Sequence, residues 1–333
     1  MKEKFSIAVL GDGGWGTTIA GLLSDKGYKV TLWSAFADYA ALLNKKRINP
    51  RFFPGYKIPK AITITSDLSL ALQDKQLIVI AVPSQYLRGV LKKVKKLKPP
   101  HRAIFLSVVK GIENKTLKRM SEVIHEELGN VRVAVLSGPT IAQEVAQKIP
   151  TTIVVSAYEK DLRLFLQGVF MTERFRVYTN EDLIGIELGG SLKNVIAIAC
   201  GISDGLGFGT NAKAALLSRG LAEISRLGHA MGGKVSTFSG LSGLGDLVTT
   251  CNSVNSRNRY VGEQIGKGKT LAQIQSHMQM VAEGVLTAKS VYELSRKYKV
   301  EMPIVREVYN VLYKNKSPLK AVQDLMTRQS KEE

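Results

Sequence analysis

The sequence predicts an α/β chain: a Rossmann-type doubly wound sheet over residues 1–185, then an all-α domain over 186–333. Three observations predict it. A glycine turn sits between a strand and a helix at the very N-terminus. Short, almost purely apolar runs recur through the first half. Near residue 182 the periodicity changes to that of helices.

Residues 5–10 form an apolar run, and Gly11-Asp12-Gly13-Gly14-Trp15-Gly16 follows it directly. A helical pattern then begins, Thr17-Thr18-Ile19-Ala20-Gly21-Leu22-Leu23. In this setting Gly11 permits the tight turn and Gly13 lets the backbone approach a pyrophosphate. Gly16 lets the helix pack closely, so that its N–H groups and dipole face the phosphates. Residues 29–33 read as the second strand. Three more follow: 77–82, ended by Pro83-Ser84; 103–109, ended by Lys110-Gly111; and 131–136, ended by Ser137-Gly138-Pro139-Thr140. Strands this apolar are buried on both faces, as in a parallel sheet covered by helices. Ligands of such sheets lie beyond the carboxyl ends of the strands. The loops beginning at Gly11, Pro83, Lys110 and Gly138 should therefore meet at one crevice. Strands at 151–155 and 174–178 close the first half. Helices over 183–202 and 212–231, then several shorter ones, make up the second.

Bulk properties narrow the function classes. A chain of 333 residues is too long for one small core. Its 44% hydrophobic and 23% charged content is that of a folded protein. No run approaches the ~20 apolar residues of a membrane span. Met1-Lys2-Glu3-Lys4 leads straight into the first strand, leaving no room for a signal peptide, so a cytoplasmic protein is expected. Cys200 and Cys251 make neither a disulfide framework nor a metal cluster. His101, His125, His229 and His277 are scattered, so no metal is expected. The net charge of +19 and pI near 9.8 fit nucleic acid, an anionic membrane or small phosphorylated molecules. The densest basic run, Leu91-Lys92-Lys93-Val94-Lys95-Lys96-Leu97-Lys98, reads as the solvated face of one helix. No aromatics interleave with its lysines, and nucleic-acid binding is not expected.

Four polar clusters carry candidate chemistry, each beside a plainer alternative. Lys193 sits with Asn194 in an apolar helix after Gly189-Gly190. Such a lysine either snorkels to solvent or, desolvated near other cations, becomes a proton donor with a lowered pKa. Asp246 is the single acid of a glycine-rich stretch, either a helix N-cap or a site carboxylate, with Thr250 four residues on along the same helical face. Ser256-Arg257-Asn258 begins a helix, as a solvated cap or a phosphate clamp. Lys110 is either an exposed loop lysine or, with Gly138-Pro139-Thr140, one of the loop residues that the doubly wound rule sends to the crevice.

Taken together, these segments resemble the bacterial NAD(P)-dependent glycerol-3-phosphate dehydrogenases over essentially the whole chain. The matching stretches are Gly11 with Trp15-Gly16, Val108-Val109-Lys110-Gly111-Ile112-Glu113, Leu136-Ser137-Gly138-Pro139-Thr140-Ile141-Ala142 and Glu187-Leu188-Gly189-Gly190-Ser191-Leu192-Lys193-Asn194-Val195. They continue through Gly201-Ile202-Ser203-Asp204-Gly205-Leu206-Gly207, Leu244-Gly245-Asp246-Leu247, Ser256-Arg257-Asn258-Arg259 and Val281-Ala282-Glu283-Gly284. No single stretch is decisive; their order along the chain is specific.

The resemblance implies reduction of dihydroxyacetone phosphate to sn-glycerol 3-phosphate with NAD or NADP as cofactor, supplying glycerophospholipid synthesis. It implies Lys193 as the acid/base group with Asp246 and Lys110 beside it. Substrate would be held by Lys110, Gly138, Thr140, Lys193, Asn194, Asp246, Thr250, Ser256, Arg257 and Asn258. Beside the turn residues Gly11, Gly13 and Gly16, the cofactor would be lined by Gly14, Trp15, Lys110, Ala142, Arg257, Val281 and Glu283. One departure bears on the cofactor: Ala35 stands where the family usually has a basic residue that would meet a 2′-phosphate, with Lys45, Lys46 and Arg47 following as substitutes. The rivals are another two-domain hydroxyacid-type dehydrogenase, a basic nucleic-acid-binding module and a nucleotide sensor without turnover. The sequence leaves a homodimer open.

Overall fold

The main strands form where the apolar runs fall. The structure, a computed structural model, describes residues 6–100, 102–278, 282–330 and 332. Its first half runs β1 (Ser6–Leu10), α1 (Gly14–Asp25), β2 (Lys29–Trp33), α2 (Ala37–Lys46), β3 (Ile48–Asn49), β4 (Phe53–Lys57), β5 (Thr63–Thr65), α3 (Leu68–Leu72) and β6 (Leu77–Ile80). It continues α4 (Leu87–Lys96), β7 (Ile104–Ser107), α5 (Met120–Leu128), β8 (Arg132–Ser137), α6 (Ala142–Ala146), β9 (Thr151–Ser156), α7 (Lys160–Phe170) and β10 (Phe175–Asn180). The second half is helical: α8 (Leu183–Gly205), α9 (Thr210–Ala230), α10 (Val235–Phe238), α11 (Asp246–Asn252), α12 (Arg257–Gly266), α13 (Leu271–Ser276), α14 (Glu283–Lys297), α15 (Pro303–Tyr313) and α16 (Pro318–Met326).

The main sheet has the order β10-β9-β8-β7-β6-β1-β2-β5. From β5 to β8 every pair is parallel, and the strand order reverses between β1 and β6. That reversal opens the crevice expected of a doubly wound sheet. Alternate side chains feed two cores. Ile7, Val9, Val79 and Leu106 meet Ile19 and Leu23 of α1 and Leu166 of α7. Ala8, Leu10, Ile80 and Phe105 meet Leu91 of α4 and Val123 of α5. Each fully buried Leu or Ile contributes about 2 kcal/mol, so both faces hold their helices firmly.

Two features differ from the sequence reading. The sheet is not parallel throughout: β9 runs antiparallel to β8. Between them lies only the short α6, which packs against α1 instead of crossing a face of the sheet, so the chain returns beside β8 in the opposite direction. The antiparallel hairpin β3–β4 and the short β5 were also not anticipated. Their residues include prolines, a glycine and charged groups, and lack clean alternation.

The second half is organised around α8, whose N-cap Asp182 accepts hydrogen bonds from Gly185 N (2.9 Å), Lys234 N (2.8 Å) and Thr237 Oγ1 (2.7 Å). Among the described helices α8 is the one long and apolar enough to cross a membrane, yet 94% of its most apolar window is buried within the protein. It crosses α12 at backbone contact: a Cβ on Gly201 would lie 2.0 Å from the Arg259 carbonyl oxygen, and one on Gly262 2.1 Å from that of Ile198. This close crossing brings the N-terminus of α12 against the middle of α8.

Candidate active site

The glycine turn has the geometry a dinucleotide requires. Gly11 takes φ +119°, and a Cβ there would lie 2.7 Å from the Ala81 carbonyl oxygen, so only glycine fits. At Gly16 an added Cβ would stand 2.0 Å from the carbonyl oxygen of Gly11, which lets α1 begin hard against the turn. Gly13, the N-cap of α1, has open space within 4 Å and supplies no side chain to cap the helix. The first-turn N–H groups of α1 therefore face an open cradle. Beside them the buried Trp15 Nε1 and Asp12 Oδ2 have no hydrogen-bond partner among the described residues. Ala142, the first residue of α6, lies against this turn: its carbonyl accepts from Thr18 Oγ1 (3.3 Å). These residues suit a pyrophosphate and the nucleotide attached to it.

Next to this cradle, four distant stretches converge. Lys193, buried in α8, donates to Asp246 Oδ1 (2.5 Å) and to Thr250 Oγ1. Lys110 donates to the other carboxylate oxygen of Asp246 (2.7 Å), to the Gly138 carbonyl (2.9 Å) and to Thr140 Oγ1 (3.2 Å). Asp246 is 1% exposed and thus lies between two ammonium groups out of bulk water. It is not a helix cap: Gly245 holds that position in α11, and the Asp246 carboxylate turns inward to the lysines. Two cations on one carboxylate leave the cluster net positive, which favours an anionic substrate and a developing oxyanion. Burial lowers the Lys193 pKa to about 8, with Asp246 raising it and Lys110 lowering it further.

Asparagines extend the cluster. Asn194 Nδ2 donates to the Lys110 carbonyl (3.1 Å), and its Oδ1 accepts from Asn258 Nδ2 (2.9 Å). Asn258 Oδ1 in turn accepts from Gly284 N (2.9 Å), at the start of α14. Ser256 caps α12 by accepting from Arg259 N (3.3 Å), as its plainer reading had it, and this leaves Arg257 at the helix start. Arg257 is exposed to solvent, although enough protein surrounds it to lower its pKa, an effect that Glu283 opposes. Burial also raises the Glu283 pKa, against the bonds it accepts from Ser84 N (3.1 Å) and Ser84 Oγ (2.5 Å) and the charge of Arg257.

Hydrogen bonds join Lys110, Gly138, Thr140, Lys193, Asn194, Asp246, Thr250 and Asn258 into one cluster, Arg257 and Glu283 feel each other's charge, and Val281 falls outside the described residues. The substitutes suggested for Ala35 do not reach it. Lys45 and Lys46 are exposed at the far end of α2, and Arg47 donates to the Ile62 (3.0 Å) and Lys60 (2.9 Å) carbonyls. Three further residues are not among the site residues read from the sequence. Ser84 joins the sheet loop to α14 through Glu283. Asn49 ties the β3–β4 hairpin to the glycine turn, donating to the Asp12 carbonyl (2.6 Å) and Thr17 Oγ1 (2.8 Å). Arg51 lies 5.7 Å from the ring centres of both Tyr39 and Phe52, with its charge beside Asp12, whose carboxyl also meets Ser34 at the end of β2. Only the Pro83-Ser84 strand end carried any signal for them.

Profiles of the NAD-dependent glycerol-3-phosphate dehydrogenase N-terminus and C-terminus match residues 6–163 and 182–323. A glycerol-3-phosphate dehydrogenase [NAD(P)+] of Chlorobium limicola is 51% identical over 330 residues, covering 98% of this chain and 99% of the relative. One from Fusobacterium nucleatum is 49% identical over 327 residues, covering 98% and 97%. The crystal structure of glycerol-3-phosphate dehydrogenase from Coxiella burnetii superposes with a TM-score of 0.95 at 40% identity, covering 98% of this chain and 99% of that one.

Proposed function

The chain belongs to the NAD-dependent glycerol-3-phosphate dehydrogenase family, and we propose that its turnover runs through Lys193 as proton donor. The reaction is reduction of dihydroxyacetone phosphate to sn-glycerol 3-phosphate with NADH or NADPH, and the product feeds glycerophospholipid synthesis. When bound, the reduced nicotinamide supplies a hydride for the carbonyl carbon. The remaining work belongs to the chain. Lys193 delivers a proton to the ketone oxygen as it gains negative charge, and Asp246 and Thr250 hold the ammonium in place. Lys110 adds a second positive charge beside that oxygen. Arg257 and the N-terminus of α12 hold the phosphate, and that binding orients the carbonyl. The observation that carries this reading is the single carboxylate of Asp246 bridging Lys193 and Lys110 inside the crevice.

The division of labour follows the two halves: residues 1–185 bind the dinucleotide and 186–333 contribute most of the substrate site. Separate cores support it, one pair on the sheet and one around α8, although a boundary at 185/186 falls within the first turn of α8. A cytoplasmic location is part of the same reading, supported by two buried free cysteines.

Two substitutions test the binding roles. Arg257→Ala is expected to raise KM for dihydroxyacetone phosphate about 100-fold, since a bidentate charged contact is worth roughly 3 kcal/mol. Steady-state kinetics decide it, and an unchanged KM removes the phosphate clamp. At the adenosine end, Arg51 takes over from the absent basic residue at position 35. Arg51→Ala should lower kcat/KM for NADPH about tenfold while changing that for NADH less than about twofold. Equal losses with both cofactors would assign Arg51 a structural role only.

A further inference from the structure

Parallel strands bring their first residues to one edge of the sheet and their ligands to the other. At the edge opposite the crevice lie Lys29, which starts β2, and Lys75 and Arg102, which precede β6 and β7. Running antiparallel to the strands, α4 delivers its lysine-rich C-terminal end to the same edge. Its inner face, Leu87, Leu91 and Val94, is buried in the core. Its outer face presents Lys92, Lys93, Lys95, Lys96 and, just past the helix, Lys98, all exposed.

Among the described residues none of these five lysines makes an ion pair. Nearby acids are engaged elsewhere: Glu113, Glu126 and Glu127 bind Arg88, and Asp74 lies beside Lys75. The carbonyl end of the helix dipole accounts for cations in the last turn of α4, but not for five between residues 92 and 98. Neither folding nor the reaction uses them. Amid the lysines, Leu97 is 40% exposed, and Pro99-Pro100 follows it.

We propose that this edge is a docking surface for an anionic lipid bilayer, with the five lysines against headgroup phosphates and Leu97 at the headgroup boundary. Clustered lysines on one helix face, with an apolar residue among them, match the field of an anionic leaflet. Nucleic acid is the poorer match. Lysine is a point charge without a stacking plane, and the run offers no aromatic platform for bases. Docked in this way, the crevice faces away from the lipid and stays open to substrate. The product, a glycerophospholipid precursor, leaves the enzyme next to the bilayer.

Co-sedimentation of the full chain with vesicles tests the proposal. Vesicles of phosphatidylcholine alone are compared with an equimolar mixture of phosphatidylcholine and phosphatidylglycerol, at low and high salt. The anionic vesicles are expected to bind at least about tenfold more tightly, and the preference should fade with salt as screening shortens. Changing all five residues (Lys92→Gln, Lys93→Gln, Lys95→Gln, Lys96→Gln and Lys98→Gln) should cost at least about tenfold in partitioning while turnover stays unchanged. A control that removes equal charge elsewhere (Lys45→Gln, Lys46→Gln, Lys57→Gln, Lys60→Gln and Lys314→Gln) should keep most of the binding. The proposal is overturned by no anionic preference, by full retention in the α4 variant, or by equal loss in the control. It is also overturned if single-stranded RNA binds more tightly than the vesicles and depends on the same lysines.

Discussion

Lys193→Ala is expected to retain cofactor binding and lose about 1,000-fold or more in kcat for reduction of dihydroxyacetone phosphate. The estimate combines a general-acid contribution of about 100- to 10,000-fold with loss of an ammonium aimed at the developing oxyanion. The side chain is buried between α8 and α11 and held by Asp246 and Thr250, so no solvent molecule replaces it in the same orientation. Cofactor affinity, measured by nicotinamide fluorescence, should hardly change, because the cradle at the start of α1 does not include Lys193. Near-normal turnover would remove the residue from the chemistry. The pH profile carries the same assignment. With a pKa of about 8 the ammonium is present at neutral pH, so reduction should fall as pH rises through about 8. Oxidation of sn-glycerol 3-phosphate needs the neutral amine and should rise across the same interval.

Asp246→Asn carries the largest expected change in stability. Its carboxylate is the shared counter-ion of two lysines, and removing one partner of a buried ion pair typically costs about 3–5 kcal/mol. A drop of about 3 kcal/mol in denaturant unfolding is expected. Activity supplies an independent readout. The carboxylate raises the Lys193 pKa against burial and the charge of Lys110, so its loss should move the midpoint of the reduction profile below 8. A purely structural Asp246 would lower stability and leave that midpoint where it was.

Burial also links Lys193 to folding. Its folded pKa lies below its ordinary value, so between about 8 and 10.5 the unfolded chain carries a proton that the folded chain does not. Stability from this group therefore rises as pH climbs through that interval.

The main strands were legible because their residues are apolar on both faces, and that pattern has few alternatives in a chain with glycine turns. Lys29–Trp33 appears with the bounds read from the sequence, and α8 begins at the predicted Leu183. The direction of β9 was not legible. It depends on what α6 packs against, a contact that local composition does not encode. The β3–β4 hairpin was missed for the same reason: Asn49 is held by the glycine turn 37 residues earlier, not by its neighbours.

Local chemistry singled out candidate side chains. A glycine triplet between a strand and a helix requires a close backbone approach wherever it occurs, and that much was contained in residues 11–16. Whether Lys193 reaches solvent or a carboxylate is a different kind of question. Its sequence neighbours suit both outcomes, and only packing α11 onto α8 places Asp246, 53 residues away, at 2.5 Å. Burial and charge pairing act through space and fall off within a few ångströms, so the lysine's pKa and the identity of its counter-ion belong to the folded chain alone.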